Sequence, residues 1–328
     1  MTVLITGGCG FIGMNIAEHL TKQGIDVVLL DMAPLLKEAE NTLKTNGGTY
    51  HHVQASILDS TQIKRIIKSY SITEIIHAAV ITPDLTREKT ASKQILDVNF
   101  SGTVEVLEAA LSNKIEKLIY LSSASVYGDA AFAYTSVHED TAHPRPKTLY
   151  AISKFAAEKT ALRYKQLFDL DIRIVRVGTV FGPWERNTGV RDTLSAPLQA
   201  TRLAYLHQKA FLPRKGPNDW VYSRDIAGAV ATILQKTAIS SDVLNISSGT
   251  SWTVYDWCRK LQTILPDFQY ELVQSAEQAN ISFHGSQDRS PLSIQKLIDD
   301  AGYTPAYDLD SAFDDYISWI DRQSEFWQ

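Results

Sequence analysis

Tyr150 and Lys154 stand four residues apart in the segment Leu149-Tyr150-Ala151-Ile152-Ser153-Lys154. On a helix that spacing puts both side chains on one face, within mutual reach. A phenol with its ordinary pKa near ~10 is a poor base at neutral pH, but an ammonium group beside it favours the phenolate. Such a pair can accept a proton from an alcohol or return one to a carbonyl oxygen. Ser123, at the end of an apolar run, adds a hydroxyl able to hydrogen-bond the reacting oxygen. Taken alone, Tyr-x-x-x-Lys is a common helix-surface pattern, so its meaning depends on what other segments bring to it.

Gly7-Gly8-Cys9-Gly10-Phe11-Ile12-Gly13 carries a second signal. It follows the strand-like run Val3 to Thr6 and opens an amphipathic segment, the context in which a glycine-rich string becomes a phosphate-binding loop. Its glycines permit backbone angles and close approaches that a Cβ excludes, while the helix N-terminus offers unpaired NH groups to a pyrophosphate. Asp31 ends the next apolar run about twenty residues on, where a carboxylate accepts the hydroxyls of an adenosine ribose. Its charge repels a 2′-phosphate and the adjoining Met32-Ala33 supply no cation, so NAD is expected rather than NADP. A tight glycine turn with an incidental acid is the alternative, and the agreement of strand, loop, helix and acid argues against it.

These groups need a scaffold that sets the ends of several strands side by side. Through about residue 180, short apolar runs alternate with amphipathic segments, the pattern of βα units around a parallel sheet. Strands are predicted at Val3 to Thr6, Asp26 to Leu30, Tyr50 to Gln54, Glu74 to His77, Lys117 to Ser122 and Ile172 to Val177. Helices are predicted at Phe11 to Gln23, Ser60 to Ser71, Ala91 to Ser112 and Leu149 to Phe168. Beyond Gly182-Pro183 the regularity fades, and Pro213 to Asp219 interrupts the helical patterns. A strand at Val243 to Ile246 should return to the sheet, with helices at Thr253 to Leu265, Pro291 to Ala301 and Leu309 to Arg322. The expected class is α/β, a Rossmann-type doubly wound parallel sheet over residues 1–180 with a smaller, interleaved C-terminal substrate-binding region over 181–328.

Together, Thr6 to Gly13, His77-Ala78-Ala79, Asn99, Ser122-Ser123-Ala124-Ser125-Val126-Tyr127-Gly128 and Tyr150 to Lys154 resemble the extended short-chain dehydrogenase/reductase family, also called the NAD-dependent epimerase/dehydratase family. The resemblance continues through Arg176 to Pro183 and Asp219-Trp220-Val221-Tyr222-Ser223-Arg224-Asp225, nearly the whole chain. It implies that Tyr150 transfers the proton, that Lys154 binds the nicotinamide ribose and lowers the tyrosine pKa, and that Ser123 orients the substrate oxygen. Gly7, Gly10, Phe11, Ile12 and Gly13 would cradle NAD, with Asp31 and Met32 at its adenosine end and Ser56 and Ile57 at the adenine. Ala78, Ala79, Asn99 and Val177 would line the rest of the groove. Family members commonly have Asp where Ser56 stands, which implies a weaker or rearranged adenine contact. The resemblance also implies a homodimer in which Ala91 to Ser112 and Leu149 to Phe168 pack as a four-helix bundle; ordinary core packing explains their apolar residues equally well.

Resembling dehydratases place an Asp-Glu pair directly after the catalytic hydroxyl residue, because eliminating water needs an acid for the departing hydroxyl and a base for the adjacent carbon proton. Ala124 and Ser125 occupy those positions, which disfavours dehydration and also decarboxylation of the type that uses Glu at the second. Hydride transfer remains, either once, as in a dehydrogenase, or twice with inversion, as in a nucleotide-sugar 4-epimerase with tightly held NAD. The loop Ser-Ala-Ser-Val-Tyr-Gly resembles the epimerase form. Against it, Thr179 stands where such epimerases usually have Asn and Asn218 where they have Arg. Asn280 to Gln287 holds no second diphosphate arginine, Arg289 lying closer to the following helix. The balance favours an NAD-dependent dehydrogenase of a sugar, sugar acid or similar polyol. Thr179, Arg186, Arg191 and Arg214 lie in the expected substrate loops, solvated surface arginines being the bland alternative. Trp184 could floor a sugar ring, though an aromatic after Gly-Pro more often packs. Relatives that keep this fold only to sense NAD often lose the tyrosine or the lysine, and this chain retains both.

Composition narrows the field further. With 328 residues, 44% of them hydrophobic and 21% charged, the chain can bury a full core. A formal charge of -5 without a clustered Lys/Arg block argues against nucleic acid as a partner. Cys9 and Cys258 make neither a disulfide framework nor a metal-ligand spacing, and adjacent His51 and His52 would face opposite sides of a strand, so no metal is expected. No apolar stretch is long enough to cross a bilayer, so no membrane is expected as a partner. Met1 to Ile5 runs straight into a strand pattern without a leader, and the expected setting is cytoplasmic.

Overall fold

Val3-Leu4-Ile5 and Val27-Val28-Leu29-Leu30 carry no polar break, so neither face of a strand built from them suits water. In the computed structural model, which describes residues 1–283, 285–323 and 326, both runs lie at the centre of a sheet with at most 1% of any side chain exposed. The first half of the chain alternates β1 (Thr2–Thr6), α1 (Phe11–Lys22), β2 (Asp26–Asp31), α2 (Lys37–Lys44), β3 (Tyr50–Gln54), α3 (Ser60–Ser69) and β4 (Glu74–His77). It continues through α4 (Leu85–Thr90), α5 (Ser92–Leu96), α6 (Gly102–Ser112), β5 (Lys117–Ser123), α7 (Leu149–Phe168) and β6 (Asp171–Val177). The second half holds β7 (Val180–Phe181), α8 (Ala196–Tyr205), β8 (Ala210–Leu212), β9 (Pro217–Asn218), β10 (Val221–Tyr222), α9 (Ser223–Gln235) and β11 (Val243–Ile246). Then come β12 (Trp252–Thr253), α10 (Val254–Ile264), β13 (Tyr270–Leu272) and α11 (Leu309–Arg322).

Seven strands pair in the order β11-β6-β5-β4-β1-β2-β3, every pair parallel. The period-2 alternation of strand side chains explains the two layers above and below. Val3 and Ile5 pack with Met14 of α1 and Val230 of α9, whereas Leu4 packs with Ile63 of α3, Val106 of α6 and Ala157 of α7. The chain leaves β1 towards β2 and β3, then crosses back to place β4 on the other side of β1. Open α/β sheets bind ligands outside the carboxyl ends of the strands at such a reversal.

Four helices lie where no helix is predicted, α2, α4, α8 and α9. Buried Thr201, Ser223 and Asp225 interrupt the apolar pattern of α8 and α9, and the partners that make those polar residues affordable inside come from distant segments. Trp257 Nε1 donates to Thr201 Oγ1 (2.9 Å), Ser223 donates to Asn15 Oδ1 (2.9 Å), and Asp225 accepts from Tyr303 (2.8 Å) and Ala306 N (2.7 Å). The helix expected over Ala91 to Ser112 breaks at Ala91 and widens into a π-helical turn over Asp97–Ser101. The one expected from Pro291 begins later, because Pro291 to Ser293 pairs with Val137 in an extended bridge.

Behind β5 and β6 lies a charged network without access to water. Glu158, fully buried in α7, accepts from Arg176 Nη2 (2.5 Å) and Nε (3.1 Å) and from Ser122 Oγ (3.1 Å). Arg176 Nη1 donates to the Tyr127 hydroxyl (3.0 Å), which donates to Asn245 Oδ1 (2.8 Å). The chain thus ties α7, β6, the turn after β5 and β11 together behind the strand ends. Removing one charge strands the other in a medium that cannot solvate it. Arg176→Leu is expected to lower the unfolding free energy by about 3–5 kcal/mol, and Glu158→Leu with Arg176→Leu to recover much of the loss, as urea denaturation will measure.

Candidate active site

At the end of β1 the backbone must turn under the strand beside it. Gly7 has φ +68°, and a Cβ there would lie 2.7 Å from Ala79 Cα; a Cβ at Gly13 would lie 2.1 Å from the Gly7 carbonyl oxygen. Neither position accepts a side chain. The loop therefore presses against Ala78-Ala79 after β4, at the reversal of strand order. Gly10 caps α1 without a side-chain hydrogen bond, so no side chain competes for the NH groups of the first turn. Asp31 holds its carboxylate at the end of β2, Oδ2 accepting from Cys9 N (3.0 Å) and Oδ1 from Ala33 N (2.9 Å). These features fit a dinucleotide: a side-chain-free cradle and helix N-terminus for the pyrophosphate, and an acid at the ribose. Cys9 is buried, and desolvation pushes its thiol up to about 12, so it packs as a small neutral group.

A cleft of about 1230 Å³ runs from this loop into the second half of the chain. Gly7, Gly10, Phe11, Ile12 and Gly13 line one end together with Asp31 and Met32. Ser56 and Ile57 lie beside them, Ser56 Oγ accepting from Leu58 N (3.2 Å), and Ala78, Ala79 and Val177 continue the wall. Asn99 stands behind that wall, 2% exposed. Its amide donates to the Ile81 carbonyl (2.9 Å) and accepts from Ile81 N (2.8 Å), clamping the loop after β4 and explaining the distorted helical turn around it.

Ser123, Tyr150 and Lys154 all line this cleft. Ser123 ends β5 and its Oγ accepts from Ser125 N (3.2 Å), which leaves its proton to donate. Tyr150 enters in the first turn of α7, begun by Thr148 capping Ala151 N (3.1 Å). Desolvation raises the phenol's pKa, while a hydrogen bond with Ser123 and the charge of Arg191 pull it down. One helical turn on, Lys154 donates to the Leu121 carbonyl and lies 4.2 Å from the Tyr120 ring centroid. Burial drives the Lys154 ammonium down to about 7, Glu158 opposing the shift. Glu158 opposes it only partly, because its carboxylate is already shared with Arg176.

The substrate-side residues divide. Thr179 lines the cleft and its Oγ1 accepts from Asn218 Nδ2 (3.0 Å). Arg214 also lines it, paired to Asp288 (2.7 Å) and 4.7 Å from the Phe283 ring centroid. Arg191 lines it nearer the glycine loop. Arg186 does not line it; its Nη2 donates to the Cys9 carbonyl (3.2 Å) beneath the loop. Trp184 is fully buried, donating to Glu18 Oε2 (2.8 Å) and packed edge-on against Trp319, and so floors no sugar ring. Two lining residues escaped the sequence reading. Arg289 ion-pairs with buried Asp219 (2.7 Å) beside Thr179, and Ser125 presents a buried Oγ with no hydrogen-bond partner among the described residues. The available signals were an arginine two residues beyond the expected window and a serine at the second position of the dehydratase Asp-Glu pair. Among the described residues no group of His, Cys, Asp and Glu is arranged to hold a metal ion, and no helix is long and apolar enough to cross a membrane.

Comparison with known proteins agrees with this fold. A family model described as the NAD dependent epimerase/dehydratase family matches residues 3–247. The chain is 25% identical to a dTDP-D-glucose 4,6-dehydratase of Mus musculus, over 99% of this chain and 90% of that protein. It is 32% identical to a UDP-glucuronate 4-epimerase of Thermodesulfobacterium geofontis, over 55% of this chain and 56% of that one. Among solved structures, a UDP-glucose 4-epimerase of Thermotoga maritima with UDP-glucose superposes with a TM-score of 0.81 at 21% identity, covering 99% of this chain and 100% of that one.

The depressed pKa of Lys154 carries a pH consequence. If the ammonium form holds the nicotinamide ribose, NAD affinity should weaken as pH rises above about 7, by up to about tenfold per unit, and Lys154→Met should flatten the profile. Isothermal titration calorimetry of the NAD-free protein at several pH values checks both.

Proposed function

Since the chain belongs to the NAD-dependent epimerase/dehydratase family, we propose that this NAD-dependent enzyme oxidises a secondary alcohol of a sugar, sugar acid or similar polyol, with Tyr150 as the acid–base group. NAD, when bound, supplies the hydride acceptor. Ser123 donates a hydrogen bond to the substrate hydroxyl oxygen and holds it against Tyr150. The Tyr150 phenolate would take the O–H proton as the alcohol is oxidised to a ketone. Lys154 orients the nicotinamide ribose and sustains the phenolate by its charge. The observation that carries this reading is the meeting of Ser123, Tyr150 and Lys154 in one cleft with the glycine loop and Asp31. Ala124 and Ser125 offer no carboxyl for eliminating water, which sets the reading apart from the dehydratases the chain resembles.

Thr179 and Arg214 serve the substrate in this reading. Arg289, brought beside Thr179 by Asp219, extends the polar wall at the same end. The protein works in the cytoplasm as a homodimer through the segments Ala91 to Ser112 and Leu149 to Phe168, where Leu96, Ile152, Leu167 and Phe168 are exposed apolar groups that a second copy would cover. A second reading, a nucleotide-sugar 4-epimerase with permanently held NAD, is favoured by the loop Ser123 to Gly128 and by the likeness to UDP-glucuronate 4-epimerase.

Tyr150→Phe should lower kcat by about 10²–10⁴-fold, the usual worth of a positioned acid–base group, with NAD affinity nearly unchanged. Full turnover by that variant would remove Tyr150 from the chemistry. Absorbance at the NADH band separates the two reactions: a dehydrogenase accumulates NADH with its substrate, whereas an epimerase interconverts two sugars without net NADH and releases NAD on denaturation.

A further inference from the structure

The segment 187–193 leaves the second half of the chain, crosses the mouth of the cleft and docks on the loop after β4. Thr82 N donates to the Val190 carbonyl (2.8 Å) and Asp192 N to the Thr82 carbonyl (3.1 Å), a parallel bridge centred on Thr82 and Arg191. Arg87 of α4 grips Asp192 with both arms of its guanidinium, Nε to Oδ2 (2.6 Å) and Nη2 to Oδ1 (2.8 Å), and Nη2 also reaches the Gly189 carbonyl (2.7 Å). Asp192 Oδ2 additionally accepts from Asp84 N (3.1 Å), and Asp84 in turn caps α4 through Arg87 N (2.7 Å). Gly189, at φ +75°, makes the turn that brings these groups into line.

Residues from both sides of this joint line the same cleft, Thr82 to Leu85 on one bank and Thr188, Val190, Arg191 and Thr193 on the other. None of the residues 187–193 is fully buried. The contacts that join the crossing to the loop after β4 are hydrogen bonds and an ion pair at partly exposed groups, the kind of joint that opens at low cost.

Arg191 points inward from the middle of the crossing. Its guanidinium lies 5.2 Å from the Phe11 ring centroid, over the N-terminal turn of α1. Nη2 is fixed by Glu185 Oε1 (2.7 Å), a buried carboxylate that Ser195 steadies through N (2.8 Å) and Oγ (2.6 Å). Nε is buried with no hydrogen-bond partner among the described residues. A rigidly held cation with an unspent donor, poised over a helix N-terminus in a cleft that accepts a dinucleotide, matches a phosphate oxygen in charge and geometry.

We infer that residues 187–193 form a strap over bound NAD, latched by Arg87 and Asp192, whose Arg191 grips the pyrophosphate so that the cofactor stays in place between turnovers. Arg191 lies directly between the two latched residues Val190 and Asp192, so opening the latch withdraws the cation. The strap acts on cofactor exchange whichever reaction the enzyme performs.

The test is the dissociation rate of NADH from the full-length protein, followed by stopped-flow fluorescence as excess NAD displaces it. Asp192→Asn and Arg191→Gln should each speed release about tenfold or more, the scale of losing a charge-assisted contact. The melting temperature of NAD-free Asp192→Asn should stay close to that of the parent, whereas Arg191→Gln, which takes the cation from buried Glu185, should melt lower. Rates within twofold of the parent in both variants would overturn the inference. If Arg191→Gln leaves NADH release unchanged and raises only the substrate KM, Arg191 serves the substrate and the assignment to the cofactor falls. Hydrogen–deuterium exchange of the unmutated protein gives an independent reading: peptides spanning 187–193 should gain protection on adding NAD, and unchanged exchange would show that no closure accompanies binding.

Discussion

The cleft exists because two backbones touch where no side chain fits. Gly7 lies against Ala78-Ala79, and Gly13 lies against Gly7, at distances that leave no room for a Cβ. That approach lets the loop after β1 tuck beneath the end of β4, which opens the space between the two diverging halves of the sheet. Every later feature of the site assumes it. Asp31 reaches back to Cys9 N only because the loop is this tight, and α1 presents its first turn to the cleft only because Gly10 follows immediately. A larger residue in the loop would shift the helix, and with it the floor under Arg191.

The chemistry at the other end of the cleft depends on a charge placed where burial opposes it. Lys154 is 3% exposed and lies between the Leu121 carbonyl and the Tyr120 ring, so its ammonium form depends on nearby groups rather than on water. Glu158 supplies the negative charge that opposes this burial, and Arg176 already engages both its oxygens. The result is a lysine poised close to neutrality, whose protonation a cofactor's phosphates and ribose hydroxyls can tip. The same network fixes the turn carrying Ser123, through Tyr127 and Asn245. Stability and poise therefore come from one set of buried bonds.

Along the cleft the cations are tethered before any ligand arrives. Arg191 pairs with Glu185, Arg214 with Asp288 and Arg289 with Asp219. A guanidinium held this way has lost its side-chain freedom in advance, so its remaining donors present a fixed pattern to the ligand. The acids also temper the positive field of the cleft, which favours selection by geometry over attraction of any anion.

Local pattern made much of the protein legible. The six strands from Val3 to Val177 and the returning strand Val243–Ile246 appear within a residue or so of their predicted bounds; the inner ones do so because a strand buried on both faces must be nearly continuously apolar, whereas β3 at the sheet edge is half-exposed and polar. The glycine loop and the Tyr150/Lys154 spacing could be read because each depends on neighbours in sequence. What stayed hidden depends on partners far along the chain. α8 and the first turn of α9 carry buried polar residues whose hydrogen bonds come from Trp257, Asn15 and Tyr303, so the start of neither helix is marked by an apolar pattern alone. Four arginines in or near the substrate loops look alike in sequence, yet the structure turns Arg186 under the glycine loop, Arg214 onto Phe283, Arg289 beside Thr179 and Arg191 over Phe11. The crossing that joins Asp192 to Arg87 spans about a hundred residues of chain and leaves no periodic trace. The sequence by itself determined which residues could bind a dinucleotide and move a proton, since those capacities lie in residue type and local spacing. Only the tertiary structure decided which charges face the ligand, because each long side chain goes where the folded surroundings offer an acid, a carbonyl or an aromatic face.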